Sequence, residues 1–107
     1  MSEYRVEYSG EALDDLRSIY DYIVFELLAQ HYAQNQVRRI RDAIRGLEVF
    51  PRKHPIVEWE PWKSNDVHKM PVDHYVVYYI VNDQELSVSV IRIFYGGRDI
   101  ERIVTDS

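Results

Sequence analysis

The sequence predicts an α+β domain in which a helical hairpin packs on a small antiparallel or mixed sheet, in the order β-α-α-β-β-β with a short C-terminal element. Three observations carry that prediction. A short segment of alternating polar and apolar residues opens the chain, apolar residues recur at helical spacing twice between residues 10 and 50, and two β-branched and aromatic runs follow at Tyr75–Val81 and Leu86–Tyr95. At 107 residues the chain supports one domain, residues 1–107, because surface scaling leaves too little interior for two cores.

Tyr4, Val6 and Tyr8 alternate with Glu3, Arg5 and Glu7, the period of a strand with one buried face, at roughly residues 3–8. Ser9 then offers a hydroxyl to cap free N–H groups and Glu11 suits the positive helix end. Ala12, Leu13, Leu16, Ile19, Tyr20, Ile23 and Leu27 form one apolar stripe of a first helix. After a break near Ala29–His31, Ala33, Val37, Ile40, Ile44 and Leu47 form the stripe of a second, which Pro51 stops. A short connection makes the two helices antiparallel neighbours.

Residues 51–66 hold Pro51, Pro55, Pro61, Trp59 and Trp62, a composition that excludes a helix and suits a loop packed down by its indoles. Val67–Val72 reads as a short strand. The two long runs after it form a hairpin turning at Asn82-Asp83, and Gly96-Gly97 ends the last strand in a sharp turn that calls for positive φ. Arg98–Val104 is the terminal element.

Apolar residues at 46% and charged ones at 29% are ordinary globular usage, which excludes a disordered or fibrous chain. No cysteine is present, so disulfides and thiolate metal sites are excluded. No secretory signal or membrane-length apolar run is seen, and a cytoplasmic protein with no membrane partner is expected. The formal charge of −5 argues against a surface that wraps nucleic acid. The charge is nevertheless sorted: residues 3–30 carry seven acids and two bases, and residues 38–53 carry six bases and two acids.

His31, His54, His68 and His74 fit no metal-ligand spacing, no GxSxG elbow surrounds a serine, and Gly96-Gly97 lacks the rest of a phosphate loop. No metal and no cofactor are expected. On the second helix Arg38, Arg41 and Arg45 share one face away from the apolar stripe. That face is either solvated, or paired with Asp14, Asp15, Asp21 and Glu26 of the first helix, or in direct contact with nucleic acid, which would show as strong salt dependence. With Arg92 on the last strand, these arginines are the candidate target-binding residues. At the sheet end Lys69, Tyr95 and Arg98 would converge if the strands pair as a meander, and could hold a phosphate while Tyr95 or His68 moves a proton. Those four are the candidate catalytic residues of a metal-free phosphodiester cleavage.

Four segments also resemble, in order, toxins of the RelE/ParE superfamily. Tyr4–Ile23 is similar to their opening strand and a helix of the form A-x-x-D-L-x-x-I-x-x-Y-I, and Ile40–Pro51 to their second helix with its terminal Phe-Pro. His68–Tyr79 resembles R-x-L-P-V-x-x-Y-x-V-x-Y, and Val90–Asp99 resembles V-x-I-x-R-V-x-x-G-x-R-D. The resemblance implies the toxin of a type II toxin–antitoxin (plasmid stabilisation) module that arrests growth. It implies a cognate antitoxin, laid across the toxin as an extended or helical segment in a hetero-oligomer, and a target that is either DNA gyrase or the ribosome with its mRNA. ParE-like members inhibit gyrase, and the longer helical hairpin ending in Phe-Pro favours that mode, in which the chain is not an enzyme. RelE-like members are ribosome-dependent mRNA endonucleases, and Lys69, Arg98, Tyr95 and His68 match such positions. The arginine often found after the sheet tyrosine is, however, Val76 here. An inactive interaction domain of the same fold is the third reading.

Overall fold

A computed structural model describes residues 3–105. The chain runs β1 (Arg5–Tyr8), α1 (Gly10–Asp21), a π-helical turn (Tyr22–Glu26), α2 (Gln30–Arg45), a 3-10 turn (Gly46–Glu48), β2 (His68–Val72), β3 (Tyr75–Asn82), β4 (Ser87–Tyr95) and α3 (Ile100–Thr105). The expected element order therefore holds, with the terminal element helical. Strands β2, β3 and β4 form an antiparallel meander, and β1 adds to β4 in parallel, so the sheet is mixed with the order β1-β4-β3-β2.

Ser9 caps α1 as its position predicts, accepting the Ala12 N–H at 3.0 Å. The same hydroxyl donates to the Ile91 carbonyl at 2.9 Å, which locks the helix start to β4. At that point Tyr78 faces Arg92 while Tyr79 faces Val90, so Ile91 is the extra residue of a β-bulge. The bulge lets Val90 and Ile93, three residues apart, both enter the core beneath the helices.

Hairpin and sheet bury Ala12, Leu16, Ile19 and Ile23 of the first helical segment against Ala33, Ile40 and Ile44 of α2 and Val77, Tyr79 and Val90 of the sheet. Each such aliphatic side chain contributes ~1.5–3 kcal/mol. The opposite face of the sheet has its own smaller core. There Tyr78 and Phe94 meet Val57 and Val67, Trp62 lies 4.8 Å from Tyr78, Trp59 stacks on Trp62 at 5.0 Å, and Ile100 of α3 closes the layer. The loop is packed down by its indoles, as its composition predicts.

Three expectations need correction. The first helix does not stay α-helical to Leu27: the π-helical turn inserts a residue, which shifts the phase, so Leu27 leaves the apolar stripe and stands 54% exposed. Leu13, also assigned to the stripe, is 45% exposed on the flank of α1. The interhelix break accordingly falls at 27–29, one or two residues early, where Leu28 takes a left-handed φ of 52°. Finally, neither Gly96 nor Gly97 has positive φ. The turn is instead tight around them: a Cβ on Gly96 would lie 3.2 Å from the His74 carbonyl oxygen and one on Gly97 3.0 Å from the Tyr95 ring, so a side chain at either position needs its neighbour to shift.

Candidate functional site

A cleft of about 570 Å³ opens between the helical hairpin and one end of the sheet. Its helical wall is Ser18, Ile19, Tyr22 and Ile23, and Leu27 and Tyr32 close its rim at the hairpin tip. Its floor is Tyr75, Ile93 and Tyr95, with His74 and Arg98 beside them. Tyr75 and Tyr95 are register partners and meet edge to face at 5.9 Å. Burial, with the phenols of Tyr32, Tyr95 and Tyr22 nearby, pushes the Tyr75 hydroxyl above its ordinary range, so it stays protonated.

The cleft's one carboxylate is consumed within the chain. β1 ends at Tyr8, which leaves that edge of β4 open beyond Val90, and Asp15 of α1 fills the gap. It accepts the Ile93 N–H at 2.9 Å and the Arg92 guanidinium at 2.9 and 3.1 Å. Arg92 also reaches Glu11 at 3.2 Å and lies over the Phe94 ring at 4.3 Å. This candidate for target binding is thus a tie between α1 and β4. Arg98 carries the cleft's remaining fixed positive charge, its guanidinium 5.3 Å over Phe94.

The four candidate catalytic residues do not come together. Tyr95 and Arg98 share the cleft. Lys69 faces Tyr78 and, one strand further, Arg92. It therefore lies on the tryptophan side of the sheet, whereas Tyr95 and Tyr75 lie on the helix side, and Val72, the β2 partner of Tyr75, is three residues (~10 Å) further along. His68 is 6% exposed, stacked on Tyr79 at 5.0 Å, with Nδ1 donating to the His54 carbonyl at 2.7 Å. A carbonyl only accepts, so Nδ1 holds the proton and the ring is fixed under the 51–57 loop.

The basic band divides as well. Arg39 reaches across to the β2–β3 turn and grips Asp73 through Nε at 2.9 Å and Nη2 at 2.7 Å, while the buried Gln36 adds a third bond at 2.9 Å. Arg39, then Gln36, hold the Asp73 carboxyl below its ordinary range. Arg38, Arg41 and Arg45 remain on the outer face of α2. The pairing of these three with Asp14, Asp15, Asp21 and Glu26 does not occur among the described residues, because those acids sit on other sides of the first helical segment and Asp15 is taken by Arg92.

The sequence reading missed Tyr22, Tyr32, His74 and Tyr75 as cleft residues. Nine tyrosines in 107 residues were a signal of aromatic recognition, but only the fold gathers four of them at one end. Among the described residues no cluster of His, Asp and Glu side chains is placed to hold a metal ion, and no helix is long and apolar enough to cross a membrane.

Residues 6–100 match the family model described as the ParE toxin of the type II toxin–antitoxin system parDE. The chain belongs to the ParE toxin family. Among solved structures, this ParE-family chain is similar to the chromosomal ParDE system of P. aeruginosa, with 19% identity, a TM-score of 0.71, and 87% of this chain and 96% of that one covered. It is also similar to a free-state mutant of the E. coli toxin RelE (15% identity, TM-score 0.66, 94% and 92% covered). The archaeal RelE–RelB complex of Pyrococcus horikoshii OT3 is a third (20% identity, TM-score 0.62, 90% and 98% covered). At such identities the likeness is one of fold. No curated protein sequence matches the chain. For a ParE-family toxin the cleft and the hairpin tip, where Phe25 is 70% and Leu28 86% exposed, form one aromatic and aliphatic surface of the kind that partner proteins cover.

Proposed function

We propose that this ParE-family toxin arrests growth by binding and poisoning DNA gyrase, and that its cognate antitoxin neutralises it by laying an apolar segment into the cleft between hairpin and sheet. One observation carries the preference for a binding mode over cleavage: Lys69 lies across the sheet from Tyr95 and Arg98, and His68 is buried and hydrogen-bonded, so the four residues expected to cleave do not surround a single phosphate. The cleft supports the antitoxin reading. Its aromatic floor offers pockets for alternate apolar side chains, and Arg98 offers a partner for one carboxylate.

A second reading, ribosome-dependent mRNA cleavage, is favoured by the convergence of Tyr95, His74 and Arg98 on the same cleft. Induction of the chain in cells, with plasmid supercoiling and transcript integrity followed together, tests the two. Loss of negative supercoiling or DNA breakage with intact transcripts is the expected outcome. Unchanged DNA with codon-positioned mRNA breaks would replace the first reading by the second, and co-expression of the antitoxin should abolish either effect.

A further inference from the structure

Nine arginines run from Arg5 to Arg98, and the fold sorts them by partner. Arg39, Arg52 and Arg92 each hold a carboxylate at 2.6–2.9 Å, and each joins segments distant in the chain. Arg38, Arg41 and Arg45 do not. Arg38 donates to the Asn35 amide oxygen at 2.9 Å, Arg41 lies over the Tyr8 ring at 5.3 Å, and Arg45 is 3.7 Å from Asp42, both of them exposed, a contact that water screens. Arg17 joins them from α1: it stands three residues before Tyr20 on the same flank, with no carboxylate partner among the described residues.

Between these charges runs a shallow groove of about 330 Å³ floored by Tyr20 and Val37. Of these four arginines only Arg45 has a carboxylate within 4 Å among the described residues, the exposed Asp42, which also lines the groove, although a chain of net charge −5 has acids enough to neutralise all four. We propose that this flank of the hairpin is a second docking surface, separate from the cleft, for an acidic amphipathic helix of a partner protein. Arg38, Arg41 and Arg45 sit on successive turns, spanning ~10 Å, which matches acids at i, i+3 or i+4 and i+7 of a helix laid alongside. Guanidinium forks bind carboxylates in pairs, and an apolar residue between those acids fills the groove over Tyr20 and Val37. A nucleic-acid backbone fits less well, because Tyr20 and Val37 give the groove an apolar floor that a phosphate chain leaves uncovered.

The test uses the whole chain and a designed helical peptide carrying Glu at those positions with Leu between them. A DNA duplex serves as competitor and sedimentation follows self-association. Binding in the micromolar range at low salt is expected, weakened about tenfold or more by the triple variant R38A/R41A/R45A and by raising salt past about 0.3 M. Because these three groups are exposed, the triple variant should keep the far-ultraviolet circular dichroism of the parent. Y95A/R98A, which alters the cleft, should leave the peptide affinity unchanged, so failure here is distinguishable from failure of the antitoxin reading. The inference is overturned by absence of peptide binding, by binding that survives the triple variant, by tighter binding of the duplex, or by a self-association that the triple variant abolishes.

Discussion

The two ends of the sheet are built on opposite terms. At the end where β3 turns into β4, polar groups are spent within the chain: the buried Tyr79 hydroxyl donates to the Pro51 carbonyl at 2.7 Å, His68 donates to the His54 carbonyl, and on the surface Asp83 takes both Arg52 at 2.6 Å and the Tyr4 hydroxyl at 2.8 Å. Backbone bonds from Val57 to Val67 and from Lys69 to Pro55 sew the 51–57 loop along the β2 edge, which would otherwise be open to another strand. At the other end, the hairpin tip leaves Tyr22, Phe25, Leu27, Leu28 and Tyr32 exposed around an open cleft. The buried Tyr79 bond, the half-buried His68 bond and the exposed Asp83 cluster tie the first end together, while the second leaves apolar surface of the kind that interaction sites expose.

His68→Ala breaks this contrast most directly. It removes a buried ring from its stack on Tyr79 and its bond to the 51–57 loop, and should lower the unfolding free energy by about 2–4 kcal/mol in urea titrations. A variant of unchanged stability would mean that the closed end is not held as described. At the open end, Leu28→Asn should act in the other direction. Leucine strains at a φ of 52° where asparagine is tolerated, so thermal unfolding should show a gain of up to about 1 kcal/mol, together with weaker antitoxin binding. A loss of stability there would show that Leu28 packs within the chain.

Acid sharpens the contrast by the smallest effect. Asp83, held below its ordinary value of 3.8 by Arg52 and then by Tyr4, and Asp73, held below it by Arg39 and then by Gln36, have folded pKa values depressed relative to the unfolded chain. Their contribution is therefore present above pH 3.8 and is lost as pH falls through the depressed values. Asp83→Asn should flatten that part of the stability–pH curve, and a curve with the parent's slope would remove Asp83 from the account.

Much of this was legible in the residues. Ser9, the α2 stripe and the Tyr75–Val81 run named their own elements, because capping and apolar period act over a few neighbours. Arg38 and Arg39, adjacent and chemically alike, could not be told apart, since what separates them is Asp73, 34 residues from Arg39. Lys69 and Tyr95 looked like neighbours in a meander, yet strand alternation sends them to opposite faces. The π-helical turn and the bulge at Ile91 left no local signature, and each moves the side chains around it.

Taken alone, the order of residues determined the element order, the apolar faces and the family, all of which follow from short-range periodicity and motif spacing. Only the tertiary structure decided which charges are neutralised, which aromatic rings share a cleft and which end of the sheet stays open. Those depend on strand order, register and helix phase, where a shift of one residue carries a side chain from one face of the molecule to the other.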